Sequence, residues 1–331
     1  MKVSVAMATY NGGDFLRQQL QSILNQTTRP DQLVILDDGS TDLTANICND
    51  YCESFGQFLF QRNSSRLGPT ANFMAAIAKC TGDIVVLCDQ DDAWVPTKIE
   101  RIVERFQNPD VMVAYHSSVL MASDGKISDV RFPDLTEDLS AQVNCFLPIY
   151  GMSLAFSGKL LPVLIPPYSH LMNDFCGHDH WIYFVGAMFG KIVHIGEPLA
   201  MYRRHEFNTV SLPSVRSMRD RFSATIRDYR RVLGRTKCTL AAYDKWKADG
   251  ILADRHVRPD VLIYYQRVAE AYEAKLKVVR ADGEGLRSAL TGLTCLMRMR
   301  AYLPKMKYGL RLASFPKDVA YALNLMQLVG F

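Results

Sequence analysis

Ile84-Val85-Val86-Leu87-Cys88-Asp89-Gln90-Asp91-Asp92 is the stretch that decides how this chain folds. Its first five residues are apolar and mostly β-branched, the pattern of a strand buried on both faces. The run then ends in three carboxylates within four residues. Like charges this close raise one another's pKa values and oppose folding unless a cation or ordered solvent neutralises them. A solvated acidic turn leading into a helix that starts near Pro96 would account for one carboxylate. Three at the end of a hydrophobic strand favour a hard divalent metal, magnesium or manganese, held by oxygen ligands and shared with substrate phosphates.

Outward from this strand, the same strand-then-helix unit recurs. Val3 to Ala8 is an apolar run ending at Thr9, and Asp14 is placed to cap a helix with Phe15, Leu20, Ile23 and Leu24 on one face. Leu33-Val34-Ile35-Leu36 repeats the unit, followed by the turn residues Asp37-Asp38-Gly39-Ser40 and a helix through Cys52 and Phe55, for which Ser40 or Thr41 is the expected cap. Phe58-Leu59-Phe60 reads as a third strand and Pro69 through Lys79 as a third helix. Pro96 suits a helix start, with Ile99, Ile102, Val103 and Phe106 at helical spacing behind it, and Val111-Met112-Val113-Ala114-Tyr115 is a fifth strand.

Strands alternating with helices imply an α/β fold with a mostly parallel, doubly wound sheet and ligands at the carboxyl ends of the strands. Three polar clusters gather there: Thr9-Tyr10-Asn11, Asp37-Asp38-Gly39 and Asp89 to Asp92. No GxGxxG follows the first strand and no GxxxxGK[ST] occurs, which argues against a dinucleotide dehydrogenase and a P-loop enzyme. Beyond the turn Ser123-Asp124-Gly125-Lys126 the pattern is less regular to about Pro167. After Ser211, Leu, Ala, Arg and Tyr dominate with few strand signals, implying a helical extension.

A length of 331 residues suits one large α/β unit or one with an appendage. The net charge of +4 is unevenly spread: acidic residues outnumber basic ones from Met1 to Tyr202, and the balance reverses from Arg203 onward. A basic segment attracts anionic polymers, anionic lipid or an anionic donor, or is simply a solvated helical face. The N-terminal apolar run is too short for a signal-peptide core and nothing later approaches a spanning length, so the expected location is cytoplasmic. The eight cysteines are scattered without CxxC pairs and are expected to be mostly buried free thiols.

The ordered blocks Ala8-Thr9-Tyr10-Asn11, then Leu36-Asp37-Asp38-Gly39-Ser40-Thr41-Asp42, then Arg66-Leu67-Gly68 with Asn72, then Cys88-Asp89-Gln90-Asp91-Asp92-Ala93-Trp94 with Pro96 and Lys98, resemble the family 2 glycosyltransferases. The resemblance implies a GT-A fold, a mostly parallel nucleotide-binding sheet flanked by helices and merged with an acceptor-binding part. On that basis residues 1–212 form the catalytic domain, with the nucleotide-sugar half at about 1–116 and the acceptor half at about 117–212, and residues 213–331 form a basic helical extension. It further implies a nucleotide-diphosphate-sugar donor and a divalent metal, Mn2+ or Mg2+. Asp38 would accept a hydrogen bond from the base, with Thr9, Tyr10 and Asn11 around the same pocket. Asp91 would be the principal metal ligand, Asp89 a contact of ribose or metal beside Gln90, and Asp92 a support of the site or a contact of the sugar. Arg66 would touch the diphosphate or stand in solvent, and Trp94 would wall the sugar pocket or belong to the core.

In Gly177-His178-Asp179-His180-Trp181 the resemblance places the catalytic base at Asp179, with His178 where many relatives have glutamate; the alternative is that Asp179 caps the helix through Trp181 and Phe184. Tyr202-Arg203-Arg204-His205 with Asn208 resembles a later segment in which His205 reaches diphosphate or metal and Arg203 binds anions. The wording of these motifs is most similar to a rhamnosyltransferase-like subgroup, which implies dTDP-L-rhamnose before UDP-hexoses and a polysaccharide or lipid-linked glycan acceptor. The arginines from Arg216 to Arg231, and Arg298 to Arg311 before the apolar residues from Val319, suit an anionic membrane surface on the inner face; helices packed on the domain, or a homodimer interface, are the other uses. Nucleic acid is not an expected partner. Two other classes compete. A nucleotidyltransferase would need a cationic glycine-rich loop after the first strand, and a non-catalytic basic membrane-binding module would leave the acidic cluster without a purpose.

Overall fold

The structure, a computed structural model, describes residues 1–132, 150–165, 177–206, 208, 218–253 and 255–278. Its sheet runs β3-β2-β1-β4-β8-β6-β9-β5, with β7 paired to β6. Here β1 is Val3–Thr9, β2 Gln32–Asp37, β3 Gln57–Arg62, β4 Ile84–Cys88, β5 Ala93–Trp94, β6 Val111–Ala122, β7 Ile127–Phe132, β8 Leu154–Ser157 and β9 Lys191–Arg204. β1 to β4 are parallel, as the strand-helix alternation requires. Beyond them the sheet is mixed: β8 is antiparallel to both β4 and β6, β6 is parallel to β9, and β5 is antiparallel to β9. Of the irregular segment after the Ser123 to Lys126 turn, the described residues supply β7 and β8 to this mixed half.

Helices α1 (Gly13–Leu24), α2 (Thr44–Tyr51) and α4 (Lys98–Phe106) cover one face, where Leu16, Leu20, Ile23, Ile47, Ile99 and Phe106 join one core. Helices α3 (Pro69–Ile77), α5 (Leu161–Leu164), α6 (His178–Phe189), α7 (Met218–Ala248) and α8 (Pro259–Val278) cover the other. The helix starts differ from expectation. Asp14 lies inside the first turn of α1, and neither Ser40 nor Thr41 caps α2. Asp42 serves both instead: one oxygen accepts from the Gly13 amide and the other from the Thr44 amide and hydroxyl. Pro96 stands outside α4, because Ala93 and Trp94 are drawn into a strand pair with β9 and the helix begins only at Lys98.

The described helices α7 and α8 pack onto the core built around the sheet. Trp246 of α7 is fully buried, 5.2 Å from Trp181 of α6, while Phe184 meets Tyr265 of α8 edge-on at 4.8 Å. Truncating such an aromatic costs about 3–5 kcal/mol, so these helices belong to the folded unit. Cys48, Cys80 and Cys88 are buried free thiols, whereas Cys52 is exposed. Arg216 and the basic and apolar residues from Arg298 to the terminus lie outside the described residues. No described helix is long and apolar enough to cross a membrane.

Candidate active site

The parallel register brings the carboxyl ends of β1, β2 and β4 to one rim: Thr9 pairs with Asp37, and Met7 with Cys88 immediately before Asp89. At the end of β2, buried Asp37 accepts from the Thr9 hydroxyl at 3.0 Å, the Ser40 amide at 2.9 Å and the Ser40 hydroxyl. Asp38 reaches across to the loop before α3, accepting from the Leu67 amide at 2.6 Å, the Gly68 amide at 2.8 Å and Asn63 Nδ2 at 3.1 Å. Gly68 has φ of +82°, a conformation that favours glycine and turns its N–H toward Asp38. After β1, Asn11 takes the left-handed conformation that short polar side chains tolerate, and its Oδ1 accepts from the Thr41 amide at 2.8 Å. Gln90 closes the other side, accepting from the Tyr10 amide and donating to the Tyr10 carbonyl. A Cβ at Gly12 would lie 2.2 Å from Gln90, so glycine there permits the amide pairing.

The acidic loop is wired differently. Oxygens of Asp89, Asp91 and Asp92 lie within 4.8 Å of one another. Asp92 is fully buried; its Oδ1 accepts from the Arg203 amide at 2.9 Å, and its Oδ2 has no partner among the described residues. Burial, then the charge of Asp91, push the Asp89 carboxyl up to about 7, and burial followed by its acidic neighbours pushes Asp92 well up. His205 places Nε2 2.8 Å from Asp91 Oδ2. An orphaned carboxylate oxygen, hard oxygen donors and an imidazole fit a divalent cation, with Asp91, Asp89 and His205 as the groups that would hold it.

Behind the loop is a lysine whose environment sequence reading did not foresee. Lys98 is fully buried, donates to the Met152 carbonyl at 2.8 Å and lies 4.0 Å from the Trp94 ring centre. Burial lowers its pKa to about 8, opposed by the charges of Cys88 and Asp92. Trp94 itself is core, as is Trp181, whose indole donates to the Leu164 carbonyl at 3.0 Å.

Asp179 sits in the first turn of α6, where the helix N-terminus favours an anion. Burial acts to raise its pKa, but His180 overrides it: Asp179 Oδ1 accepts from the His180 amide at 2.7 Å and lies 2.9 Å from His180 Nδ1, so the carboxyl stays below its usual range. His178 stacks on Phe73 at 4.2 Å, and burial lowers its pKa.

One cavity of about 750 Å³ joins these groups. From the β1 and β2 ends it is lined by Thr9, Tyr10, Asn11 and Asp38, with Arg66 stacked 3.8 Å over Tyr10. The acidic loop contributes Asp89, Gln90 and Asp91, and the residue directly after β9 is His205; α6 contributes His178 and Asp179. Asp92, Trp94, Trp181 and Arg203 do not line it. Arg203, expected at an anion, is 2% exposed and spends its guanidinium on protein carbonyls instead. Phe15, Tyr150, Tyr202 and Asn208 also line the cavity. The periodicity places Phe15 on the apolar face of the first helix and the resemblance gives Tyr202 no role of its own, while Tyr150 follows the least regular stretch and carries no signal.

Residues 4–141 match the family described as Glycosyl transferase family 2. An uncharacterized glycosyltransferase of Nostoc sp. is 34% identical over 223 residues, covering 63% of this chain and 66% of that protein. The dTDP-rhamnosyl transferase RfbG of Shigella flexneri is 29% identical over 217 residues, 62% of this chain and 73% of its own. The match spans just under two thirds of the Nostoc protein and 59% of an uncharacterized Mycobacterium tuberculosis relative. In fold, the chain is similar to S. aureus TarS 1-349 solved with UDP, at a TM-score of 0.57 and 14% identity, covering 98% of this chain and 87% of that one.

Proposed function

We propose that this chain, whose residues 4–141 match glycosyl transferase family 2, is an inverting, metal-dependent transferase that moves a sugar from a nucleotide-diphosphate donor to a glycan hydroxyl. The observation that carries this reading is the single cavity holding Asp38, the Asp89, Asp91 and His205 group, and Asp179 together. Asp38 suits the nucleoside: its bonds to Leu67 and Gly68 fix the carboxylate, and a uracil or thymine N–H would complete it. Arg66 over Tyr10 supplies positive charge beside the diphosphate. A bound divalent cation supplies Lewis-acid stabilisation of the charge that develops on the departing diphosphate.

Asp179 is the base. His180 holds Oδ1, leaving Oδ2 to take the acceptor's hydroxyl proton as that oxygen bonds to the anomeric carbon. The bond from the anomeric carbon to the diphosphate breaks on the opposite face, its electron pair passing to the phosphate oxygen, and the configuration inverts. The favoured donor is dTDP-L-rhamnose, on the similarity to RfbG, with UDP-hexoses next. The acceptor is a polysaccharide or a lipid-linked glycan. Exposed Arg231 and Lys247 on α7 suit loose attachment to an anionic membrane surface that would present such a lipid.

Calorimetric titration with dTDP and UDP, each with and without Mn2+, tests the reading. Binding that strengthens with Mn2+ is expected, dTDP the tighter; binding of neither under either condition overturns it.

A further inference from the structure

We propose that Arg203 is the positioning residue of the cation site, setting Asp91 and His205 in place through the main chain of Asp91 and the ring of Phe15, without contact to the donor. The inference rests on the cation site proposed above. Its Nε donates to the Asp91 carbonyl at 2.8 Å, and its own amide donates to Asp92 Oδ1, so one residue grips both ends of the Asp91-Asp92 step. Nη1 is shared between the Ala122 and Ser123 carbonyls at 3.4 and 3.3 Å, and Nη2 donates to Gln18 Oε1. The acidic loop is thereby tied to α1 and to the turn between β6 and β7.

The guanidinium also lies 4.7 Å over the Phe15 ring, whose centre is 4.9 Å from that of His205. His205 Nε2 meets Asp91 Oδ2, which closes a ring of contacts from Arg203 through Asp91, His205 and Phe15 back to Arg203. Asn208 braces the far side, accepting from the His205 amide at 2.7 Å and donating to the Arg203 carbonyl at 3.2 Å. A planar fork of five donors is what lets one side chain hold three elements at once; an ammonium at this place cannot face Asp91, Ser123 and Gln18 together.

Arg203→Lys keeps the charge and loses the fork. Mn2+ uptake followed by electron paramagnetic resonance is expected to weaken by about 10–100-fold, the usual effect of removing a group that orients metal ligands. Nucleoside diphosphate binding in the presence of a chelator, which depends on the Asp38 end, is expected to hold. Phe15→Leu keeps every guanidinium bond and frees the His205 ring; a smaller loss in the same direction is expected, and this variant carries the test if Arg203→Lys does not fold by its melting profile. Mn2+ uptake equal to wild type in the folded variants overturns the role of Arg203 alone. Absence of Mn2+ uptake by the wild type overturns the cation site itself and this role with it.

Discussion

β2 and β4 flank β1 on opposite sides, and both end in acidic residues, yet the two ends are wired in opposite ways. At β2 the protein supplies the donors: Asp37 accepts from the hydroxyls of Thr9 and Ser40 and the amide of Ser40, and Asp38, which also faces the cavity, is held by the amides of Leu67 and Gly68 and by Asn63. At β4, Asp92 keeps one oxygen without a partner among the described residues, and burial and like charge push Asp89 up to about 7. Donors supplied by the protein turn carboxylates into scaffold. Carboxylates denied donors carry an uncompensated desolvation cost, which the proposed cation would offset.

The strongest test of this difference is to neutralise one acid on each side. Asp91→Asn is expected to lower transfer on the order of 10²–10³-fold, the scale of one lost charge-stabilising group, with a melting temperature no lower than wild type. Steady-state kinetics with calorimetric melting would read both, and a variant that unfolds would reverse the comparison. Asp37→Ala is expected to do the opposite. It strands the Thr9 hydroxyl and the Ser40 amide, at about 2–3 kcal/mol in urea denaturation. Loss of stability below about 0.5 kcal/mol would mean that the β2 acids are not scaffold.

A finer test concerns Asp179, which stands between the two cases because it has one donor residue, His180. Its pKa lies below the ordinary 3.8, so its contribution to stability is present above that value and lost as pH falls through the lower folded value. The proposed base therefore stays ionised throughout neutral and mildly acidic conditions. In His180→Phe the imidazole is lost and only His178 and the amide of residue 180 still oppose burial, so the acid limb of kcat/KM is expected to move to higher pH. Profiles measured between about pH 5 and 8 that coincide for the two proteins would show that His180 does not hold Asp179 in its charged form.

Much of this was legible in the residues. The strands ending at Thr9, Asp37 and Cys88 follow from apolar runs bounded by polar turns, and their parallel alignment follows from the helices between them. The cap residues at Asp14 and Ser40 were misplaced for a specific reason: Asp42 serves two helices that are distant in sequence, and local spacing cannot express that. Arg203 misled in the same way. A basic residue beside a histidine looks like an anion site, but its partners, Gln18, Asp91 and Ser123, come from three separate segments. Trp94 was ambiguous for a related reason, since an aromatic in a motif and an aromatic in the core have the same local signature.

The sequence by itself determined the order of elements, the rim where polar residues collect, and the excess of negative charge at the end of β4, because periodicity and charge are local properties. Tertiary structure alone decided which of those charges are satisfied. Whether a carboxylate finds amide donors depends on loops that arrive from elsewhere, as Leu67 and Gly68 do for Asp38 and as, among the described residues, the Arg203 amide alone does for buried Asp92. That choice separates the acids that the protein itself supplies with donors from those it leaves to the proposed cation.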